Sequence, residues 1–198
     1  MWFARLIEVW IKKHEIAAVQ YSKNMKLVVG SLLSTIAAIF QSAGLIGGIG
    51  YAFSIMATGP IVLATVISIR FGLLSYVVTT VLLMMIQPSE VLVFMFTTGL
   101  LGIALGMGFK LFQTGLIVSI IGGTFLSAGI LTLLYLFQFP VLGPSISSNV
   151  SALATVGVML FALFYSWLWM NVSKVGMLHL NKLMAKKVLL EKDESSSR

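Results

Sequence analysis

The sequence contains no cysteine and, between residues 27 and 173, almost no charge. The absence of cysteine excludes disulfides, thiol nucleophiles and thiolate metal ligands. Charged residues make up 10% of the chain and hydrophobic residues 59%, whereas a globular domain has about 25% and 45–50%. The mean hydropathy is +1.03. Such a composition cannot provide a water-compatible surface, so a soluble enzyme, a disordered chain and a nucleic-acid-binding domain are excluded.

The few central charges divide the apolar segment into helices. Residues 27–173 carry three charged side chains, Arg70, Glu90 and Lys110. A bilayer core needs roughly 20 apolar residues per helix, which leaves room for about six spans. Glycines, prolines and charged residues mark the ends of these spans. The predicted spans are at about residues 27–46, 51–69, 71–87, 91–109, from 111–115 to 138, and 150–172. The predicted fold class is all-α, a six-helix transmembrane bundle forming one domain over 27–173.

Basic residues orient these spans. If the N-terminus is cytoplasmic, all 13 Lys and Arg residues of the chain fall on the cytoplasmic side, and Glu90 falls outside. Basic residues concentrate on that side of membrane proteins. We therefore expect a multi-pass protein of the plasma membrane with both termini in the cytoplasm. The net charge of +7 is then a signal of topology and not of nucleic-acid binding.

Both tails have a helical pattern of apolar and basic residues. In residues 1–26, Trp2, Leu6, Val9 and Trp10 alternate with charged side chains at helical spacing, which predicts an amphipathic helix on the cytoplasmic face, followed by a basic segment. Residues 174–198 predict a second basic amphipathic helix and a disordered tail from Asp193. Anionic lipid or a cytoplasmic partner protein would each explain these segments.

The spans lack the side chains of common catalytic and coupling sites. Both histidines, His14 and His179, lie in the tails, and Glu90 is the only acidic residue between 27 and 173. Metalloproteases need paired histidine and glutamate ligands, and proton-driven pumps use intramembrane acids or histidines. No phosphate-binding GxxxxGK[ST] motif is present. We predict no enzyme activity, no metal and no cofactor.

Small residues predict close helix packing. The first span has a four-residue stripe, Gly30, Ser34, Ala38 and Ser42, and the fifth has Gly115, Ser119, Gly123 and Ser127. In lipid, small side chains allow helix backbones to approach closely. Two interpretations of the first stripe remain open: packing inside the bundle, or contact with a helix of a partner protein. Gly59-Pro60 should kink or open the second span.

Polar and aromatic residues gather toward the outer ends of the spans. A pocket with apolar walls and a few hydrogen-bonding groups is typical of small-molecule sites. The alternative is ordinary headgroup contact, with Ser89 and Glu90 capping a helix. The candidate ligand-binding residues are Gln41, Tyr51, Gln87, Glu90, Tyr135, Gln138 and Asn149.

Four segments resemble the YybS-like bacterial integral membrane proteins. They are the small-rich span 30–42, the run 54–69 with Gly59-Pro60, the turn 70–74 with Arg70-Phe71-Gly72, and the glycine-rich 98–108. More broadly, six helices with a small-residue first helix look like the substrate-binding S components of energy-coupling-factor (ECF) vitamin transporters. The resemblance covers about residues 27–110.

The resemblance to S components implies a passive subunit of the bacterial cell membrane that binds a vitamin-like or other small solute near its outer face. Gly30, Ser34, Ala38 and Ser42 would then contact a transmembrane coupling subunit driven by separate ATPases. The competing hypothesis is a structural or regulatory membrane protein that assembles through its small-residue faces. A stand-alone secondary transporter is a third hypothesis. In each case we expect the protein to lie in a lipid bilayer and to bind no nucleic acid.

Overall fold

The computed structural model describes residues 23–46, 49–139 and 152–196, and regular structure in these ranges is entirely helical. The predicted all-α fold is confirmed. The amphipathic helix expected at the N-terminus lies mainly outside the described residues. The helices, in chain order, are α1 Lys23–Ser42 with a 3-10 turn Ala43–Ile46, α2 Ile49–Ile55, α3 Thr58–Ile67, α4 Ile69–Ile86, α5 Pro88–Phe96, α6 Thr98–Leu111, α7 Gly115–Leu131 with a π-turn Thr132–Leu136, and α8 Ala152–Ser196.

The helices have the length and composition of a polytopic membrane protein. Four segments are long and apolar enough to cross a bilayer: Ile69–Ile86, Pro88–Leu111, Gly115–Leu136 and Ala152–Met177. Two shorter apolar helical segments, Leu27–Ser42 and Ala52–Ile67, lie where the first two spans are predicted. Large apolar side chains such as Leu32, Met85 and Leu160 are exposed on the outside, which suits contact with lipid chains.

The second span is broken, as the Gly59-Pro60 pair predicts. Helix α2 ends at Ile55 and α3 begins at Thr58. Pro60 has no N–H, and its ring would clash with the carbonyl of Met56 if the helix were continuous. The break places Pro60 in the first turn of α3, where the missing N–H costs nothing. The Met56 carbonyl instead accepts the Gly59 N–H at 3.1 Å.

A second break, which the sequence does not predict, divides the fourth span at Thr97. The Thr97 backbone has φ −122° and ψ −89°, between α5 and α6. The Phe96 carbonyl lies directly against Gly129 of α7, so that any side chain at position 129 would overlap it. Tyr76 Oη donates to the Met95 carbonyl at 2.9 Å. The break is therefore covered by protein, as backbone outside regular helix must be at membrane depth.

Glycines bring α6 into close contact with α3. The Cα of Gly102 lies against Ile61, and that of Gly106 lies against Thr65 and the Val62 carbonyl. A β-carbon at either glycine would come within 3.1 Å of an α3 carbonyl oxygen. These two helices form the centre of the bundle, where Ile61 and Val62 are completely buried.

The small-residue stripe of the fifth span packs on α8. Gly123 lies against Leu163, with 3.0 Å between the position of a β-carbon and the Leu163 Cα. Ser166 Oγ donates to the Ser119 carbonyl at 2.8 Å. This stripe is therefore used inside the chain.

Helix α8 is a single helix of 45 residues. It joins the predicted sixth span to the basic segment that follows, because the sequence between Val172 and Ser196 contains no proline to interrupt it. The helix includes Asp193 and continues to Ser196, where the sequence predicts a disordered tail.

The basic side chains of the bundle lie at one end. Lys110 Nζ donates to the Ile67 carbonyl at 3.4 Å, three residues before Arg70. Lys174 Nζ contacts Gly115 at the start of α7. Glu90 lies at the opposite end, because it begins the Pro88–Leu111 span that Lys110 closes.

Candidate functional site

Three polar side chains from three helices meet at the Glu90 end of the bundle. Gln41 lies at the end of α1, and its Nε2 donates to Glu90 Oε2 at 2.8 Å. Its Oε1 accepts a hydrogen bond from Thr98 Oγ1 at 2.7 Å. Gln41 is completely buried, Thr98 is 7% exposed, and Glu90 is partly exposed. A buried amide is stable here because both of its polar atoms have partners. We call these three residues the Glu90 cluster.

Pro88 and Gln87 place Glu90 at this position. Gln87 ends α4 and is the N-cap of α5, and Pro88 is the first residue of α5. Because Pro88 cannot continue α4, the helix ends before it and the chain turns back into the bundle. Glu90 therefore occupies the first turn of α5, where the partial positive charge of the helix N-terminus stabilises a carboxylate.

Glu90 does not act as a helix cap. In a capping box, the third-position Glu side chain would accept the N-cap backbone N–H. The Gln87 N–H instead donates to the Leu83 carbonyl at 2.7 Å, and α5 has no side-chain cap hydrogen bond. The Glu90 carboxylate is directed toward α1, where it accepts the Gln41 amide N–H.

Gln87, three residues before Glu90, has a buried acceptor. Its side chain is 6% exposed, and its Oε1 has no hydrogen-bond partner among the described residues. The Gln87 carbonyl accepts the Glu90 N–H at 3.1 Å, which ties the two residues together. An unpartnered buried carbonyl costs about 1–3 kcal/mol.

Gly44 lies over the Glu90 carboxylate. A β-carbon at position 44 would be 3.2 Å from Oε1. Because glycine has no side chain, this side of the carboxylate stays open. One carboxylate oxygen of Glu90 therefore accepts a hydrogen bond from Gln41, and the other lies beside the backbone of Gly44.

No described hydrogen bond joins the other predicted ligand-binding residues to the cluster. Tyr135 forms a 2.9 Å hydrogen bond between its Oη and Thr155 Oγ1, which links α7 to α8. Gln138 is exposed and has a left-handed backbone with φ 52°. Tyr51 belongs to α2, but its side chain lies outside the described part of the structure, as does all of Asn149.

The first-span stripe faces α4 of the same chain. Ser75 Oγ donates to the Gly30 carbonyl, and Thr79 Oγ1 donates to the Ser34 carbonyl, each at 3.2 Å. Ser34 and Ala38 are each 1% exposed. At the end of the stripe, Ser42 is partly exposed and donates to the Ile39 carbonyl at 3.0 Å. This arrangement matches packing inside the bundle, where Ser34 and Ala38 are buried.

An apolar groove of about 300 Å³ lies at the opposite half of α1 from Gln41. It runs between α1 and α4 and does not include the Glu90 cluster. The groove is lined by Leu27, Val28, Gly30, Ser31, Ser34, Phe71, Leu74, Ser75 and Val78.

Sequence reasoning misses Thr98 and Gly44. The Thr97-Thr98 pair interrupts the apolar run 91–109. Two adjacent hydroxyl residues in an apolar span indicate that a polar contact is made there. Nothing in the sequence indicates that Thr98 reaches a residue 57 positions earlier.

No protein-family model, curated protein or solved structure matches this chain in the comparisons made. The resemblance to YybS-like proteins and to S components therefore stays an expectation from sequence.

Proposed function

We propose that this protein is a membrane-embedded solute-binding subunit of a multi-component small-molecule transporter. The observation that carries the proposal is the hydrogen-bonded chain from Thr98 through Gln41 to Glu90. Polar side chains within apolar helices are costly and generally serve a function. Here they converge at one end of the bundle, at a helix start where Gln87 has a buried acceptor oxygen with no described partner.

The proposed orientation places the Glu90 cluster at the outer face of the bacterial plasma membrane. Arg70, Lys110 and Lys174 lie at the other end, and basic residues favour the cytoplasmic side. Six passes then put both termini in the cytoplasm. A solute arriving from outside would reach the cluster without crossing the bundle.

The subunit would depend on partner proteins for energy. The sequence has no phosphate-binding loop, so a transmembrane coupling subunit and ATPases would drive release of the solute into the cell. The competing hypothesis is assembly of a structural or regulatory protein through the α1 and α7 stripes. Both stripes pack inside the chain, which favours neither that assembly nor the expected contact of the α1 stripe with a coupling subunit.

Mild purification followed by mass spectrometry tests the proposal. We expect coupling-subunit and ATPase chains to co-purify with the wild-type protein, and a small solute to be released on denaturation. The Gln41→Leu variant should retain the partner proteins and lose the solute. A wild-type preparation with neither a solute nor an ATPase partner would contradict the proposed function.

A further inference from the structure

We infer that the solute carries a positively charged amine group, which pairs with the Glu90 carboxylate. This inference rests on the proposed function, and it adds the chemical class of the solute. It follows from the charge and the hydrogen-bonding capacity of the Glu90 cluster.

Glu90 has no positively charged partner in the described parts of the chain. It is the only acidic residue between positions 27 and 173. The two basic residues of that segment, Arg70 and Lys110, lie at the opposite end of the bundle. The one described side chain that donates to the carboxylate is Gln41, a neutral amide. A neutral donor and the partial charge of a helix N-terminus leave the full negative charge without a cationic partner among the described residues.

The vacant hydrogen-bonding positions at this site are acceptors. Gln41 occupies Glu90 Oε2, and the described neighbour of Oε1 is Gly44, which has no side-chain donor. Gln87 Oε1 is a second acceptor, buried and without a described partner. A protonated primary amine has three donors and no acceptor, so it can supply the donor that Glu90 Oε1 lacks among the described residues.

Other classes of solute fit less well. An anionic solute would be repelled by Glu90, since the described residues place no cation beside it to offset the charge. A neutral alcohol could donate one hydrogen bond, but the carboxylate charge would remain unpaired. A charge-assisted hydrogen bond is about twice as strong as a neutral one, which favours the ammonium group.

The test uses wild-type protein in lipid nanodiscs and a defined library. The library contains primary, secondary and quaternary amines, each with the alcohol and the carboxylate of the same carbon skeleton. Compounds retained after washing are identified by mass spectrometry. We expect the retained compounds to be amines, and their alcohol and carboxylate counterparts to be absent.

Glu90→Gln removes the charge and keeps the shape of the side chain, including an oxygen that Gln41 can bind. It should weaken amine binding by about tenfold or more. Glu90→Asp keeps the charge and should retain amine selectivity. Glu191→Gln makes the same chemical change near the end of α8 and should bind as wild type does. Circular dichroism shows whether each variant is folded.

The outcomes separate the two proposals. Retention of alcohols or carboxylates, or equal amine retention by Glu90→Gln, would overturn the amine assignment and leave the solute-binding function standing. Failure of wild-type protein to retain any member of the library would contradict the amine assignment. If the mild purification also yields no solute, the proposed function fails with it.

Discussion

Gln41 and Glu90 lie 49 positions apart, and the Gln41 amide nitrogen donates a 2.8 Å hydrogen bond to Glu90 Oε2. This bond joins the end of α1 to the start of α5. Thr98 extends it to α6 by donating to the other end of the same amide. One buried amide therefore connects three helices at the end of the bundle opposite the basic residues.

Replacing Gln41 with leucine should destabilise the protein by about 1–3 kcal/mol, because Glu90 and Thr98 would each lose a hydrogen-bond partner. Unfolding in mixed micelles with increasing SDS measures the free energy of unfolding. Thr124→Val is the matched control, since the exposed Thr124 hydroxyl bonds only to the Ile120 carbonyl of its own helix. Equal stability of the two variants would show that the Gln41 contacts contribute nothing.

Gly106→Ala should destabilise the bundle by about 1–3 kcal/mol through overpacking. The added methyl group would overlap Thr65 and lie 3.1 Å from the Val62 carbonyl. Gly157→Ala is the control, because no atom of the described residues lies within 4 Å of its added β-carbon. The control should be neutral or slightly stabilising, since alanine favours the helix by about 1 kcal/mol. Similar SDS midpoints for both variants would contradict the close packing of α3 on α6.

Ser34→Leu should lower the stability of the single chain by about 1–3 kcal/mol, because Ser34 is buried against α4. Ile39→Leu changes a side chain of the same helix that is 58% exposed, so its unfolding midpoint should match the wild type. The readouts are the unfolding midpoint and the oligomeric mass in detergent. Loss of an assembly with an unchanged midpoint would instead assign the stripe to a partner subunit.

Single cysteines test the proposed topology without background labelling, because the chain has none. Gln113 and Ser89 are both exposed, in the turn between α6 and α7 and in the first turn of α5. With a membrane-impermeant maleimide on intact cells, Ser89→Cys should label, and Gln113→Cys should label only after the cells are opened. Labelling of both positions from outside would contradict the proposed orientation.

Much of the helical layout follows from the sequence, because the signals for it are local. Pro88 and the Gly59-Pro60 pair mark helix starts through the missing N–H of proline, and the structure has helix starts at or near both. The break at Thr97 could not be predicted in this way. It depends on Gly129, 32 residues later, which leaves room for the Phe96 carbonyl.

The candidate site was predictable only in part. Gln41, Gln87 and Glu90 can be singled out from the sequence, because placing an amide or a carboxylate in an apolar span costs free energy. This cost follows from the residue type and its apolar neighbours along the chain. Their partners are set by how the helices pack, so the sequence does not show that the Tyr135 hydroxyl bonds to Thr155. The small-residue stripe of the first span was also predictable only in part. Its spacing indicates close contact with another helix but does not identify that helix as α4.

The solute site is tested most directly by native mass spectrometry of the protein purified from its own membrane in lipid nanodiscs. The measured quantity is the fraction of chains that carry a non-covalently bound small molecule. Thr98→Val keeps the shape of the side chain and removes the hydroxyl that donates to Gln41. We expect its bound fraction to fall well below that of wild type, while Thr124→Val retains the wild-type fraction. Equal bound fractions in Thr98→Val and Thr124→Val would contradict a solute site at the Glu90 cluster.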